Sequence, residues 1–189
     1  FYAKNDNLKI TDLHQGIVWG CQTPNTSMHD DLINRFDYDG DYGTVLNRFI
    51  IQASLDYPLT IHGSGGQTRA LININDTIKC LKIAMNNDHK NDSKVRIFNQ
   101  LSETKRIKDI AKIISSISKT KISNIENPRN EDAENELNVK NNSLINLGFK
   151  PVIFDEEHAV MLIDLANKYK NNCDVSKIPS LPSWINNNN

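Results

Sequence analysis

The sequence predicts an α/β protein, and three observations point that way. Short runs that alternate apolar and polar residues, at 8–13, 59–62, 70–74, 95–99 and 122–125, have the period of strands. Between them, the stretches at 44–55, 76–85, 107–117 and 156–169 space their apolar residues as amphipathic helices do. Glycine and proline fall between these segments, at Pro58, Gly63, Gly65, Gly66, Gly148 and Pro151, where they end elements rather than interrupt them.

Taken in order, Leu8-Lys9-Ile10-Thr11-Asp12-Leu13 reads as a strand, followed by a turn region through Gly16 and Gly20. From Cys21 to Tyr42 the chain is polar, rich in Asp and Asn and without a period; loops of that length are often functional. Val45, Leu46, Phe49, Ile50 and Ala53 then give a helical apolar stripe, and Leu59 to His62 reads as a short strand after Pro58. The Gly63-Ser64-Gly65-Gly66 string predicts a turn, because glycine takes positive φ without steric cost. Ala70 to Ile74 reads as a strand, and Asp76 as the cap of a helix reaching Met85. Val95 to Asn99 predicts a strand, Ile107 to Ile117 a helix and Ile122 to Ile125 a strand, before a polar stretch from Asn127. Ser143 to Leu147 reads as a helix stopped by Gly148. Pro151 opens an extended piece ahead of the terminal helix from Glu156 to Tyr169, and Trp184 with Pro179 and Pro182 is expected to pack the tail on the body.

A length of 189 residues suits one domain, or a small domain with part of a second. With 22 Lys and Arg against 23 Asp and Glu, the net charge of -1 argues against nucleic acid as a partner. No run approaches the roughly 18–20 apolar residues of a membrane span, so a soluble protein is expected. Cys21, Cys80 and Cys173 form no C-x-x-C pair, and the histidines form no H-E-x-x-H pattern. Neither a metal site nor a disulfide framework is suggested, and a reducing compartment fits. The start at Phe1, without Met, reads as that of a fragment lacking an N-terminal portion.

Several strings narrow the reading further: Thr11-Asp12-Leu13-His14-Gln15-Gly16, Asn34-Arg35-Phe36-Asp37-Tyr38-Asp39, Gly43-Thr44-Val45-Leu46-Asn47-Arg48-Phe49, Gly65-Gly66-Gln67-Thr68-Arg69, Phe98-Asn99-Gln100 and Asn127-Pro128-Arg129. In order and approximate spacing they resemble the C-terminal half of the UDP-sulfoquinovose synthase family, extended short-chain dehydrogenases of sulfolipid biosynthesis. The Gly-Gly-Gln-Thr-Arg string is common to many nucleotide-sugar epimerases and dehydratases, whereas the Asn-Arg-Phe-Asp-Tyr-Asp segment is much narrower. The resemblance implies that residues 1–189 hold the last strands of a Rossmann sheet and the smaller α/β substrate-binding domain. It implies NAD as cofactor and UDP-glucose and sulfite as substrates. The family's Gly-rich turn, catalytic threonine and Tyr-x-x-x-Lys pair would lie upstream, so the chain alone is not expected to catalyse. A homodimer and a cytoplasmic or plastid location are compatible with it.

By resemblance, Gln15 reaches both the sugar nucleotide and the nicotinamide side of NAD, with Val18 beside the cofactor; the competing reading is a turn glutamine. His14 is more often structural. Val45, Leu46, Asn47 and Arg48 open a helix whose N–H groups suit a diphosphate. Thr60, Ile61 and His62 resemble the strand whose backbone pairs with uracil. Gln67, Thr68 and Arg69 follow the glycine turn, where a guanidinium can fork onto phosphate. Arg129 resembles a second diphosphate arginine. Arg35, with His29, lies in the polar segment that singles out this family and could help fold the loop over the sugar and guide sulfite; a salt bridge from Arg35 to Asp37 or Asp39 explains it equally. Glu156-Glu157-His158 reads as a solvated helix face. Two alternatives stay open: a UDP-sugar 4-epimerase or dehydratase, and a non-catalytic nucleotide-sugar-binding module.

Overall fold

A computed structural model describes residues 2–6, 8–87, 95–127 and 132–178. Its elements are α1 (Tyr2–Asn5), β1 (Ile10–Gln15), β2 (Ile17–Trp19), α2 (Val45–Ser54), β3 (Leu59–His62), β4 (Gly66–Asn73), α3 (Ile74–Asn86), β5 (Val95–Gln100), β6 (Glu103–Arg106), α4 (Ile107–Ser118), β7 (Ile122–Ile125), β8 (Glu134–Asn135), α5 (Asn142–Asn146) and α6 (Glu156–Tyr169). The expected α/β class is what the chain adopts. No described helix is long and apolar enough to cross a membrane.

Three small sheets organise the described residues. Strands β1 and β5 run parallel, from Ile10 opposite Val95 to Gln15 opposite Gln100. Strand β4 is central to the second sheet, parallel to β2 and antiparallel to β6, with β8 joined at Gly66 and Gln67. Strands β3 and β7 form a parallel pair. Helices α2, α4 and α6 pack on one another beside them. Their apolar faces meet in one core, where Leu46, Phe49, Ile50, Ile110, Ile114 and Leu162 are all under 2 % exposed. A second cluster of Ile72, Cys80, Phe98, Leu144 and Phe149 lies between α3, β5 and α5.

The structure corrects several element assignments, each for a local reason. The region between Gly16 and Gly20 holds β2, because Gly16 lets the chain run against β4; a Cβ there would stand 2.9 Å from the Ala70 carbonyl oxygen. Strand β4 begins at Gly66, right after the positive-φ residues Gly63 and Gly65, rather than at Ala70. Strand β6 carries Glu103, Thr104, Lys105 and Arg106, a string with no apolar alternation to reveal it. Helix α3 starts at Ile74, capped by the Asn73 side chain, so Asp76 is not the cap.

Asp76 turns inward instead. Its carboxylate, 0 % exposed, accepts from Lys79 Nζ at 2.9 Å, Ser102 Oγ at 3.1 Å and the Val152 amide at 2.6 Å. Glu103 accepts from the Phe154 amide at 2.6 Å. Two carboxylates thus hold alternate amides of the extended piece that leads into α6, where Asp155 caps the helix through the His158 amide at 3.1 Å. His158 also meets Asp155 at 2.7 Å and stands edge-on to Trp19, which gives it structural work. The cysteines are free thiols: burial, with Asp37 adding, pushes Cys21 up to about 12, and burial, with Asp76 adding, pushes Cys80 up to about 11. Trp184, Pro179 and Pro182, expected to pack the tail on the body, lie outside the described residues.

Removing the Asp76 carboxylate takes the acceptor from three donors at once, two of them half-buried. The Asp76→Ala variant is expected to lose about 2–3 kcal/mol of stability, read by denaturant unfolding. A loss below about 0.5 kcal/mol would show that these donors find other partners.

Candidate functional site

The N-terminus of α2, the end of β3 and the start of β4 converge on a cavity of about 220 Å³. Val45 and Arg48 line it from α2, His62 from β3 and Arg69 from β4. Ile17 and Ile107 give it apolar walls, and Asn127 closes one side. No carboxylate lines it among the described residues, so two guanidinium groups set its charge. The Thr44 hydroxyl accepts from the Asn47 amide at 3.5 Å, which caps the helix end that faces this space.

Close approach of backbone shapes the entrance. A Cβ on Gly43 would fall 2.3 Å from the Asp39 carbonyl oxygen, so only glycine lets the loop turn tightly onto α2. The Asp39 carboxylate accepts from the Tyr42 amide at 2.7 Å and the Asp41 amide at 2.9 Å, fixing the turn. These bonds favour the charged form. The Tyr42 amide first, then the Asp41 and Gly43 amides and the Lys177 charge, hold its pKa below the ordinary carboxylate value against the opposing effect of burial.

Arg48 and Thr60 are bound to each other: Arg48 Nη2 donates to the Thr60 carbonyl at 3.3 Å. One turn along α2, Gln52 donates to Thr60 Oγ1 at 2.6 Å and accepts from the Thr60 amide at 3.1 Å. Gln52 had no place among the expected site residues. The signal was there, as a glutamine inside an otherwise apolar helical stripe and four residues beyond Arg48.

The other expected residues separate according to strand and helix geometry. The side chains of Leu46 and Ile61 belong to the core, so only their backbone could meet a ligand. Asn47 is half-buried beside the cap. Gln67 is 2 % exposed, and its Nε2 donates to the Asp132 carbonyl at 3.3 Å. Successive strand residues face opposite ways, which puts Thr68 in a separate groove; its amide meets Asn135 Oδ1 at 2.7 Å. Gln15 ends β1, with Nε2 3.5 Å from Thr77 Oγ1, and Val18 packs on the second core cluster; neither lines the cavity. Arg129 lies outside the described residues.

Arg35 is elsewhere too. Its Nε meets Asp37 Oδ1 at 2.7 Å with the side chain 82 % exposed. It borders a pocket of about 340 Å³ between the 30–38 loop, Ile51 of α2 and the end of α6. His29 Nδ1 accepts from the Asp31 amide at 3.2 Å and caps a short 3₁₀ turn.

No family model matches the chain. The chain is 38 % identical over 189 residues to the chloroplastic UDP-sulfoquinovose synthase of Spinacia oleracea, covering 97 % of this chain and 39 % of that protein. It is 35 % identical over 181 residues to the UDP-sulfoquinovose synthase of Sulfolobus acidocaldarius, covering 93 % and 45 %. The chain therefore spans less than half the length of these curated relatives. In structure it resembles a UDP-glucuronic acid 4-epimerase from Bacillus cereus, solved with UDP-glucuronic acid and NAD, at a TM-score of 0.66 and 23 % identity. That match covers 88 % of this chain and 48 % of the epimerase, and it carries the fold alone.

The lowered Asp39 pKa fixes the sign of one pH effect. Stability from this turn is present above the ordinary carboxylate range and lost as pH falls through the folded-state value. The Asp39→Ala variant should therefore be less stable than the parent near neutral pH, with the difference shrinking on acidification below about pH 4. Urea unfolding across that range checks it; a gap that stays constant with pH would exclude the carboxylate as the cause.

Proposed function

We propose that this chain, which belongs with the UDP-sulfoquinovose synthases, is the nucleotide-sugar-binding portion of such an enzyme. The carrying observation is the convergence of Arg48, Arg69 and a capped helix N-terminus on one cavity without a carboxylate among its described lining residues. A diphosphate is the group that suits such a place, since N–H groups and guanidinium forks both address phosphate oxygens. Arg129, by family resemblance, is a further phosphate ligand. The uracil is assigned to the end of β3, at Thr60 to His62, and the sugar to the side nearer Ile17.

NAD, when bound, supplies the transient oxidation that acidifies the sugar, and it belongs with the carboxyl ends of the parallel strands. Gln15 ends one such strand and is exposed, which fits a residue that meets both sugar and cofactor. Val18 is assigned to the same side, through packing rather than a polar contact. The proton-transfer groups are assigned to the part of the relatives that lies outside this span. The chain's own work is to bind, to orient and to keep water from the diphosphate.

Sulfite is proposed as co-substrate, as the family resemblance implies. Arg35 is proposed to shape the loop that admits it, through its pairing with Asp37. The epimerase reading rests on fold alone, and a sulfite requirement separates the two.

In the full-length protein, Arg69→Ala is expected to weaken UDP-glucose binding about 10-fold or more by calorimetry. Unchanged affinity would remove the diphosphate from this cavity. Replacing Arg35 by Ala should raise the KM for sulfite more than that for UDP-glucose, whereas an equal rise in both would confine Arg35 to holding the loop.

A further inference from the structure

Strand β3 has two edges, and they are completed differently. On one side β7 runs parallel to it: the Leu59 amide donates to the Lys121 carbonyl, and the Gly63 amide to the Ile125 carbonyl, both at 2.8 Å. Backbone groups alternate along a strand, so the amides of Leu59, Ile61 and Gly63 face β7 while those of Thr60 and His62 face the other way. No strand lies on that second edge among the described residues. Gln52 lies there instead, 0 % exposed, accepting from the Thr60 amide at 3.1 Å and donating to the Thr60 hydroxyl at 2.6 Å.

We infer that Gln52 is a positioning residue for the base-binding edge: its side-chain amide stands in for a neighbouring strand at Thr60 and sets the next pairing position at the Thr60 carbonyl and the His62 amide. In a parallel ladder, one partner residue bonds the carbonyl of residue i−1 and the amide of residue i+1. The Thr60 carbonyl and the His62 amide are such a pair, and His62 lines the cavity. A planar ring with adjacent N–H and C=O groups, as in a uracil imide, has the pattern complementary to this pair. The Thr60 carbonyl has two lone pairs, so its bond from Arg48 at 3.3 Å leaves room for the imide donor. Arg48 and Gln52, one turn apart on α2, hold the same residue by different groups, which ties the register of the base edge to the helix that presents the diphosphate site.

This inference rests on the nucleotide reading of the cavity, and the experiment separates the two. UDP and inorganic pyrophosphate are titrated by calorimetry into the full-length protein and its variants. Gln52→Leu should bind UDP about 10-fold more weakly, the scale of one lost oriented hydrogen-bond pair, with pyrophosphate affinity unchanged. Gln52→Glu, whose carboxylate can accept from both Thr60 groups, should restore UDP binding. UDP affinity unchanged in folded Gln52→Leu would overturn the inference, as would parallel loss of UDP and pyrophosphate. If Gln52→Leu does not fold, Thr60→Val carries the test by removing the hydroxyl bond alone: weaker UDP with unchanged pyrophosphate supports the inference, and unchanged UDP overturns it. A parent protein that binds pyrophosphate but gains nothing from the uridine would overturn the nucleotide reading itself.

Discussion

Everything at this site depends on helix α2 meeting two demands at once. Its apolar face, with Leu46, Phe49 and Ile50, is sunk in the core against α4 and α6. Its remaining edge must reach β3, and it does so through Arg48 and Gln52, both bonded to Thr60. A buried amide such as that of Thr60 cannot be left without a partner without a cost of about 1–3 kcal/mol. The side chain that satisfies it therefore also fixes how helix and strand sit together. With that relation set, the helix N-terminus, His62 and Arg69 face a common space.

The same economy of partners recurs away from the cavity. Asp76 and Glu103, both turned inward, hold the Val152 and Phe154 amides of a segment that has no strand beside it among the described residues. That segment delivers Asp155 to the start of α6, and α6 in turn closes the core over α2. A polar residue in the wrong place for a solvated face thus marks, three times over, an extended backbone in need of a partner. Gln52, Asp76 and Glu103 are all of this kind.

The polar loop from Cys21 to Tyr42 is held to the body along its length: Asn75 Nδ2 donates to the Gln22 carbonyl at 3.3 Å, and the Tyr169 side chain of α6 donates to Asp30. The Tyr38 hydroxyl accepts from the Asp174 amide at 2.8 Å, and Phe36 and Tyr38 pack on the main core. The loop's last turn, through Asp39 and Gly43, leads straight into the α2 cap. Arg35, paired with Asp37, lies on the stretch that spans the second pocket. Loop and helix are therefore mechanically continuous, which gives the narrow Asn-Arg-Phe-Asp-Tyr-Asp segment a physical route to the cavity.

By itself the sequence determined the elements with strong periodicity: α2, α4, α6 and β3 advertise a buried face in the spacing of their apolar residues, whereas β5 and β7 showed only the alternation of a strand, and Val95, Ile97 and Ile122 stay exposed. It also determined the relatives, through short strings that match in order and approximate spacing. Strand β6, made of charged and polar residues, and β2, hidden between two glycines, carried no such period; pairing with β4 made them strands. Of the expected site residues, the sequence could not tell that Val45, Arg48, His62 and Arg69 share a cavity while Thr68, Gln15 and Arg35 do not. That sorting depends on which way each side chain leaves its strand or helix, and on which elements lie across from it. Gln52 shows the limit most plainly: its position on the helix was legible, but its partner, eight residues away across a turn, was chosen only when α2 and β3 packed together.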